Sequence, residues 1–584
     1  MIKFTRNFLL ISLFVLLNSR LFAQEALKSI EEEYYDFLSL TGVVNRPTLG
    51  YRTLSDSVWT FNDVESFEEN KDGTYSKNIS SGIESKNNIW KNNNLGTKYT
   101  LFEAAYPSNS FLMRGINQKA TAKIFGLEWF NSYNTDLPYG QNDGALWQGK
   151  GYNTSFTTGL RLEGYGFEFT VKPQISWSQN KEFEINRNVY PNPYSYSFSN
   201  GNVTHYIDYV QRYGDTSFWK FDPGDSELRY TWHTLTFGVG TQNPWLGPAY
   251  LNPMLGSNNA PGYLKFDGGL RKTEVFIPFT KISLGHIEGR IWLGELVESE
   301  YFDDNPDNNR HLVTGMSASY APSFIPGFTF GLNRIFLTNW RKQNLKYLYR
   351  LFTLSRSNGT DTGNDEDQKF SLFAEWNFSK IGFTVYGEFG RDDFSNDENS
   401  NPFHTAIYTV GAKQFIPLPF GLKSELNFEW NNFEMSQDFQ MQWTYMGYYA
   451  HGAITQGYTH RGQILGAGSG FAGNSQFLQY KIYHPFGSVG YSFHRYCPNN
   501  NSVYSQSVYS SATVPHLDSD IYKKWYPNFE TYLCNSIMLN FYILHDFEAS
   551  LNFTYIKITH RNYNASIGPV SKNYYGSFGV KYNF

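Results

Sequence analysis

Only two cysteines occur in 584 residues, too few for a cysteine-built zinc site, which takes several ligands at short spacing. Charge of one sign is also scarce. The net charge is −5 and the pI about 6.2, with no basic block, so nucleic-acid binding has no support. Beyond the first two dozen residues no apolar run approaches the ~20 residues of a spanning helix, and the mean hydropathy is −0.47. A chain of this hydropathy can cross a membrane only as a closed barrel, because lipid leaves every other backbone arrangement unsatisfied. Catalytic signatures are missing as well. There is no G-x-S-x-G elbow and no H-E-x-x-H, and His451 and His460 lie near each other without a metal-ligand spacing. The chain reads as a non-enzyme with no cofactor and no metal.

Aromatic residues, in contrast, make up 18% of the chain, with 44 Tyr, 50 Phe and 14 Trp beside 50 Gly. That mixture suits strands with aromatic girdles joined by polar loops. The chain ends Tyr574-Tyr575-Gly576-Ser577-Phe578-Gly579-Val580-Lys581-Tyr582-Asn583-Phe584. Apolar and polar positions alternate in steps of two, as in a strand with one apolar and one polar face. A closed barrel ties such an end down by pairing the last strand with the first.

The start is a targeting segment. Lys3 and Arg6 precede the apolar run from Phe8 to Leu17, and Ala23 precedes Gln24. Residues 1–23 therefore read as a cleaved secretory signal peptide. Residues 24–114 read as a small helical and irregular periplasmic region leading into the barrel. Ile30, Tyr34, Phe37 and Leu38 recur at helical spacing behind Glu31 to Glu33, where the helix dipole favours acids. A second short helix is expected over Glu65 to Glu69.

Residues 115–584 read as the barrel itself. Phe167, Phe169, Val171, Ile175 and Trp177 alternate with Glu168, Thr170, Lys172, Gln174 and Ser176. Leu422, Leu426, Phe428 and Trp430 alternate with Lys423, Glu425, Asn427 and Glu429. Short joins near Gly164, Asp222, Gly285, Pro322, Lys380, Pro417, Pro485 and Asp546 alternate with long polar ones. The expected fold is an all-β transmembrane barrel of about 18 antiparallel strands. With the C-terminal strand ending in the periplasm, both termini are periplasmic and every long loop is extracellular, in the outer membrane of a Gram-negative-type cell. The span from Arg341 to Arg356 has helical spacing inside one such loop. Cys497 ends one strand and Cys534 starts the next. An oxidising compartment favours their bond, with two free buried thiols as the alternative.

Two loop stretches are dense in turn residues, the first in Gly, Asn and Pro and the second in Gly, which specify tight backbone. One is Thr236 to Gly262, TFGVGTQNPWLGPAYLNPMLGSNNAPG, and the other Gly457 to Gly470, GYTHRGQILGAGSG. Trp245, Gly247 and Pro248, then Ser257, Asn258, Asn259, Ala260 and Pro261, then His460, Arg461, Gly462 and Gly466 resemble the fingerprint of the capsule assembly Wzi family. Leu246 between Trp245 and Gly247 is a departure from it. The resemblance implies a monomeric barrel that holds capsular or exopolysaccharide at the cell surface, in contact with outer-membrane lipid. Flat rings stack on sugar faces, and amides and charged groups bind hydroxyls. The candidates are Trp245, Tyr250, Asn258, Asn259, Trp443, Tyr458, His460 and Arg461. Their alternative role is to lock loops across the barrel mouth. The alternative function is a general porin or substrate-specific channel, suggested by lumen-facing charge.

Overall fold

A computed structural model describes residues 29–69, 75–81, 98–103, 116, 119–185, 206–303, 305–353, 366–392, 403–442, 447–501, 503, 529–543, 547–563 and 570–582. The expected signal peptide, Trp443 and the terminal Phe584 lie outside them.

Eighteen strands form one closed antiparallel sheet in chain order. The first nine are β1 Lys119–Asn134, β2 Gly151–Gly164, β3 Phe167–Val171 with Gln174–Ser178, β4 Phe218–Asp222 with Glu227–Trp232, β5 Leu235–Gly240, β6 Lys265–Phe276, β7 Ser283–Val297, β8 Arg310–Pro322 and β9 Phe328–Asn339. The rest are β10 Glu366–Phe378, β11 Phe383–Asp392, β12 Ala406–Pro417, β13 Lys423–Asn432, β14 Asn474–His484, β15 Gly487–Cys497, β16 Thr531–Ile543, β17 Phe547–Thr559 and β18 Val570–Tyr582. β18 closes on β1, from Tyr575 opposite Asn134 to Lys581 opposite Glu128. Lys98–Glu103 then continues that line along the remainder of β1. The last strand is thus tied down along its length, as its alternation demands.

The period-two pattern sorts side chains as expected. Phe167, Phe169, Val171 and Ile175 are exposed on the outer face, while Thr170, Lys172, Gln174 and Ser176 are buried inside. On β13, Leu426 and Phe428 face out and Glu425, Asn427 and Glu429 face in. One expected join moves. Asp222-Pro223-Gly224 looks like a hairpin turn, and the Asp222 Oδ1 does accept from the Gly224 amide at 2.8 Å. Yet the chain runs on through it as a kink inside β4, beside a matching break at Pro173, which has no amide to donate. The join falls instead between Trp232 and Leu235, with His233 at φ 55°.

Connections at one end of the barrel are short. At the other end, nine of them are long, beginning with 135–150 and 179–217. The region 29–62 is not a separate body. Helix α1, Ile30–Ser39, starts at Ser29, whose hydroxyl caps the Glu32 amide at 3.2 Å. It sits inside the lumen toward the short-turn end, with Phe37 stacked on Tyr483 at 4.4 Å and on Phe415 at 5.4 Å. Its acids meet cations on the inner wall: Glu31 with Lys581, Glu33 with Lys481 and Asp36 with Lys413. Acids that suit the helix dipole therefore also match the lumen wall. The second expected helix is absent. Asp63–Glu69 pairs with Tyr75–Ser81 as a hairpin, since so short a segment gains too little to nucleate a helix. The helical loop stretch is partly as expected, with a 3₁₀ turn at Lys342–Lys346 leading into α2, Tyr347–Arg350.

The cysteine pairing is corrected. Both thiols are free and buried. Register places Cys534 opposite His494, three residues before Cys497. At ~3.3 Å per residue that separation exceeds the reach of a disulfide, and an odd offset turns the two side chains to opposite faces of the wall. Cys497 Sγ meets Thr531 Oγ1 at 3.2 Å instead.

Candidate functional site

The main hydrophobic core of this barrel is in its mouth. Loop 241–264 and residues 433–442 and 447–473 fold inward, and Leu246, Met254, Leu255, Phe433, Tyr449, Tyr458 and Leu465 pack together against wall residues such as Trp292 and Ile335. The first of these loops descends far enough to meet the N-terminal segment rising from the other end. Trp245–Leu246 pairs as a short antiparallel bridge with Tyr51–Arg52.

Buried backbone amides in the lumen need acceptors, and wall glutamates supply them. Glu288 accepts from the amides of Leu49, Gly50 and Tyr51 at 2.8–3.0 Å. Glu429 accepts from Tyr250, Leu251 and Asn252 at 2.6–3.1 Å. Arg229, Arg290 and Arg271 hold Asp267, Glu227, Asp56 and Glu168 in one charge network. Asp56 belongs to the inserted N-terminal segment, so the network fastens it to the wall.

The two Gly-rich stretches meet face to face. Ser257 donates its amide to the Leu465 carbonyl at 3.0 Å, and the Asn259 side-chain amide donates to the Ile464 carbonyl at 3.0 Å. Asn258 is buried, and its carbonyl accepts from the Gly144 amide at 2.6 Å. Trp245 is buried, with its indole donating to the Ala249 carbonyl at 2.9 Å. Gly247 has φ 82°, and a Cβ there would collide with the Glu388 carboxylate. Tyr250 donates from its hydroxyl to Glu33 at 2.9 Å. Tyr458 donates to the Leu255 carbonyl at 2.8 Å. His460 is buried, and its Nδ1 accepts from the Val297 amide at 3.1 Å. Burial, with Arg461 and Lys220 beside it, holds its pKa well below the usual value. Arg461, at φ 51°, reaches Asp222 at 3.3 Å. Trp443 lies outside the described residues.

Of the sequence candidates that lie among the described residues, Asn259 alone lines the cavity among the loops at this end. That space is about 210 Å³. Its walls come from the 135–150 loop, both described ends of the 179–217 loop, Asn259, the 463–469 turn, Asn562 and the upper ends of β15 and β16. Six rings face it: Tyr139, Trp147, Phe183, Tyr209, Tyr496 and Tyr532. Tyr496 and Tyr532 stack in parallel, 4.7 Å apart at 9°. Its carboxyl groups are Asp143, Glu184 and Glu530, and its amides include Gln148, Asn259 and Gln463. Burial pushes the Asp143 carboxyl up to about 7, against the opposing hydrogen bond from Gln148. Among the described residues, no three His, Cys, Asp or Glu come close enough to hold a metal. A second cavity of about 310 Å³ lies on the other side of the Tyr139–Asp143 segment, beside α1.

Sequence reading found the lock and missed the cavity, because these rings come from five separate stretches with no shared motif. One signal was present. The 135–150 loop, TDLPYGQNDGALWQGK, has the same Gly, Asn and Asp density as the two segments singled out, and it carries Tyr139 and Trp147.

No curated protein matches the chain in sequence. In structure it resembles Wzi of Escherichia coli, an outer-membrane protein involved in group 1 capsule assembly and a carbohydrate-binding β-barrel, with TM-score 0.50 at 10% identity over 79% of this chain and 85% of that one. It also resembles Pseudomonas putida OprB, with TM-score 0.33 at 11% identity over 79% and 94%. Acinetobacter baumannii OccAB1 gives 0.32 at 10% over 79% and 96%. The family model for capsule assembly protein Wzi matches residues 133–487, more than half of the chain and both lock segments. The chain is therefore a member of the Wzi capsule assembly family, an 18-stranded outer-membrane β-barrel.

Proposed function

We propose that this barrel is a lectin-like surface protein. It binds capsular or exopolysaccharide with its long loops, without catalysis, and helps attach and assemble that polysaccharide at the cell surface. Family membership and the carbohydrate binding of the Escherichia coli relative support the reading. The observation that carries it is the loop cavity, where six rings stand among carboxyl and amide groups. Rings present flat apolar faces to the C–H face of a sugar, and the polar groups take its hydroxyls. In this reading residues 1–23 are removed on export, residues 24–114 lead into the barrel from the periplasmic side, both termini are periplasmic, and the barrel works as a monomer in outer-membrane lipid. Trp245, Tyr250, Asn258, Tyr458, His460 and Arg461 act by holding the loops, and Asn259 touches the glycan as well.

The porin alternative is weakened by the packed mouth and by α1 in the lumen. Deleting the gene tests the proposal. Surface polysaccharide is expected to shed into the medium, to return with the wild-type gene, and not to return with Trp147→Ala carried on a barrel of normal abundance. Full retention in the deletion strain would contradict it.

A further inference from the structure

The polar lining of the loop cavity is one-sided in charge. Asp143, Glu184 and Glu530 contribute carboxyl groups, and no Lys, Arg or His is among the described residues that line it. Arg561, beside the lining residue Asn562, has its guanidinium committed to Asp136 at 3.1 Å and to the Glu184 carbonyl at 3.0 Å. Lining atoms without a hydrogen-bond partner among the described residues include the Trp147 Nε1 donor and the Gln463 Oε1 acceptor. Gln463 has its amide nitrogen on the Asn259 carbonyl at 3.1 Å, which leaves that oxygen turned to accept. A buried polar atom left unpaired carries an uncompensated desolvation cost, so the bound state is expected to satisfy both. A sugar hydroxyl both donates and accepts, and one sugar ring supplies several. The volume, about 210 Å³, equals roughly seven waters of liquid, on the order of one sugar ring or two.

Resting on the polysaccharide reading above, we propose that this cavity selects a neutral or amino-bearing sugar unit and rejects acidic units such as uronates. A carboxylate entering here meets like charge in a partly desolvated space and finds no cation to pair with among the described lining residues, which is the costly case for a buried charge. A neutral ring satisfies Trp147 and Gln463 and stacks on the aromatic walls. An ammonium group gains the carboxylates in addition.

The test uses the full-length barrel in nanodiscs. The probes are oligosaccharides released from the cell's own surface polysaccharide and separated by ion exchange into neutral, amino and acidic fractions. Calorimetric titration is expected to show the neutral or amino fraction binding at least tenfold tighter than the acidic one. Glu184 is exposed at the rim, so Glu184→Lys keeps the fold, and it is expected to narrow that ratio at least threefold. Trp147→Phe keeps the ring, loses the donor, and is expected to weaken the preferred fraction about tenfold. Acidic oligosaccharides binding as tightly as neutral ones, or a ratio unmoved by Glu184→Lys, would overturn the selectivity while leaving the polysaccharide reading in place. Binding by none of the three fractions would remove both.

Discussion

Single side chains in this barrel act mostly on backbone that has left water. The Glu429 carboxylate answers three consecutive amides of the inserted loop, Tyr250 to Asn252. Glu429→Ala orphans those donors, so a loss of ~3 kcal/mol or more is expected. Limited proteolysis should then cut within 241–264 in intact barrels, whereas the wild-type loop resists. His460 gives a pH signature. It accepts from Val297 as a neutral imidazole and its folded pKa is depressed, so the unfolded chain binds the extra proton first. Its contribution is complete above the ordinary value of ~6.5 and fades as pH falls below it. Asp143 has the opposite sign. Its folded carboxyl is raised to about 7 while the unfolded one ionises near the ordinary ~3.9, so stability falls as pH rises between those values and levels off above them. Asp143→Asn is expected to raise the unfolding temperature more at pH 8 than at pH 5, by a difference of ~1 kcal/mol once its partial exposure to the cavity is allowed for. Heat-dependent gel migration at the two pH values reads this directly. Equal shifts at both would contradict it.

At the level of elements, the strands were largely legible and their fillings were not. Alternation on β3 and β13 sorted lipid-side from lumen-side residues because a strand has one geometric period and one choice of face. The kink at Asp222 was misplaced because Pro and Gly have the same local signature in a turn and in a bulge. α1 was visible from Ile30, Tyr34, Phe37 and Leu38, but its place inside the lumen was not. That place depends on Lys413, Lys481 and Lys581, which are hundreds of residues away. Deleting residues 29–62 should therefore open the lumen toward the short-turn end. Planar-bilayer recordings are expected to show little current from wild type and larger, frequent openings from the deletion. The β15–β16 register yields a chemical prediction. Denatured protein, never exposed to reductant, should take up two alkylating groups by intact mass, one each on Cys497 and Cys534. A mass without added groups would restore the disulfide.

For the whole molecule, the barrel is a rigid wall whose specific structure is built inside it. Chain from both ends of the lumen meets at Tyr51–Arg52 and Trp245–Leu246, and the loop core above it fixes the cavity walls. This explains why the fingerprint segments marked the family while standing mostly outside the cavity. Tight Gly, Asn and Pro turns record a folded lock, whereas a binding surface gathered from Tyr139, Trp147, Phe183, Tyr209, Tyr496 and Tyr532 leaves no local pattern. The most direct measurement is titration of the purified full-length barrel with the polysaccharide of its own cell surface, wild type beside Trp147→Ala. Loss of one stacking wall is expected to weaken binding about tenfold, ~1.4 kcal/mol, in a barrel that heat-dependent gel migration shows to be folded at the temperature of the titration. Equal affinity of the two proteins, or none in the wild type, would contradict a glycan site at this cavity.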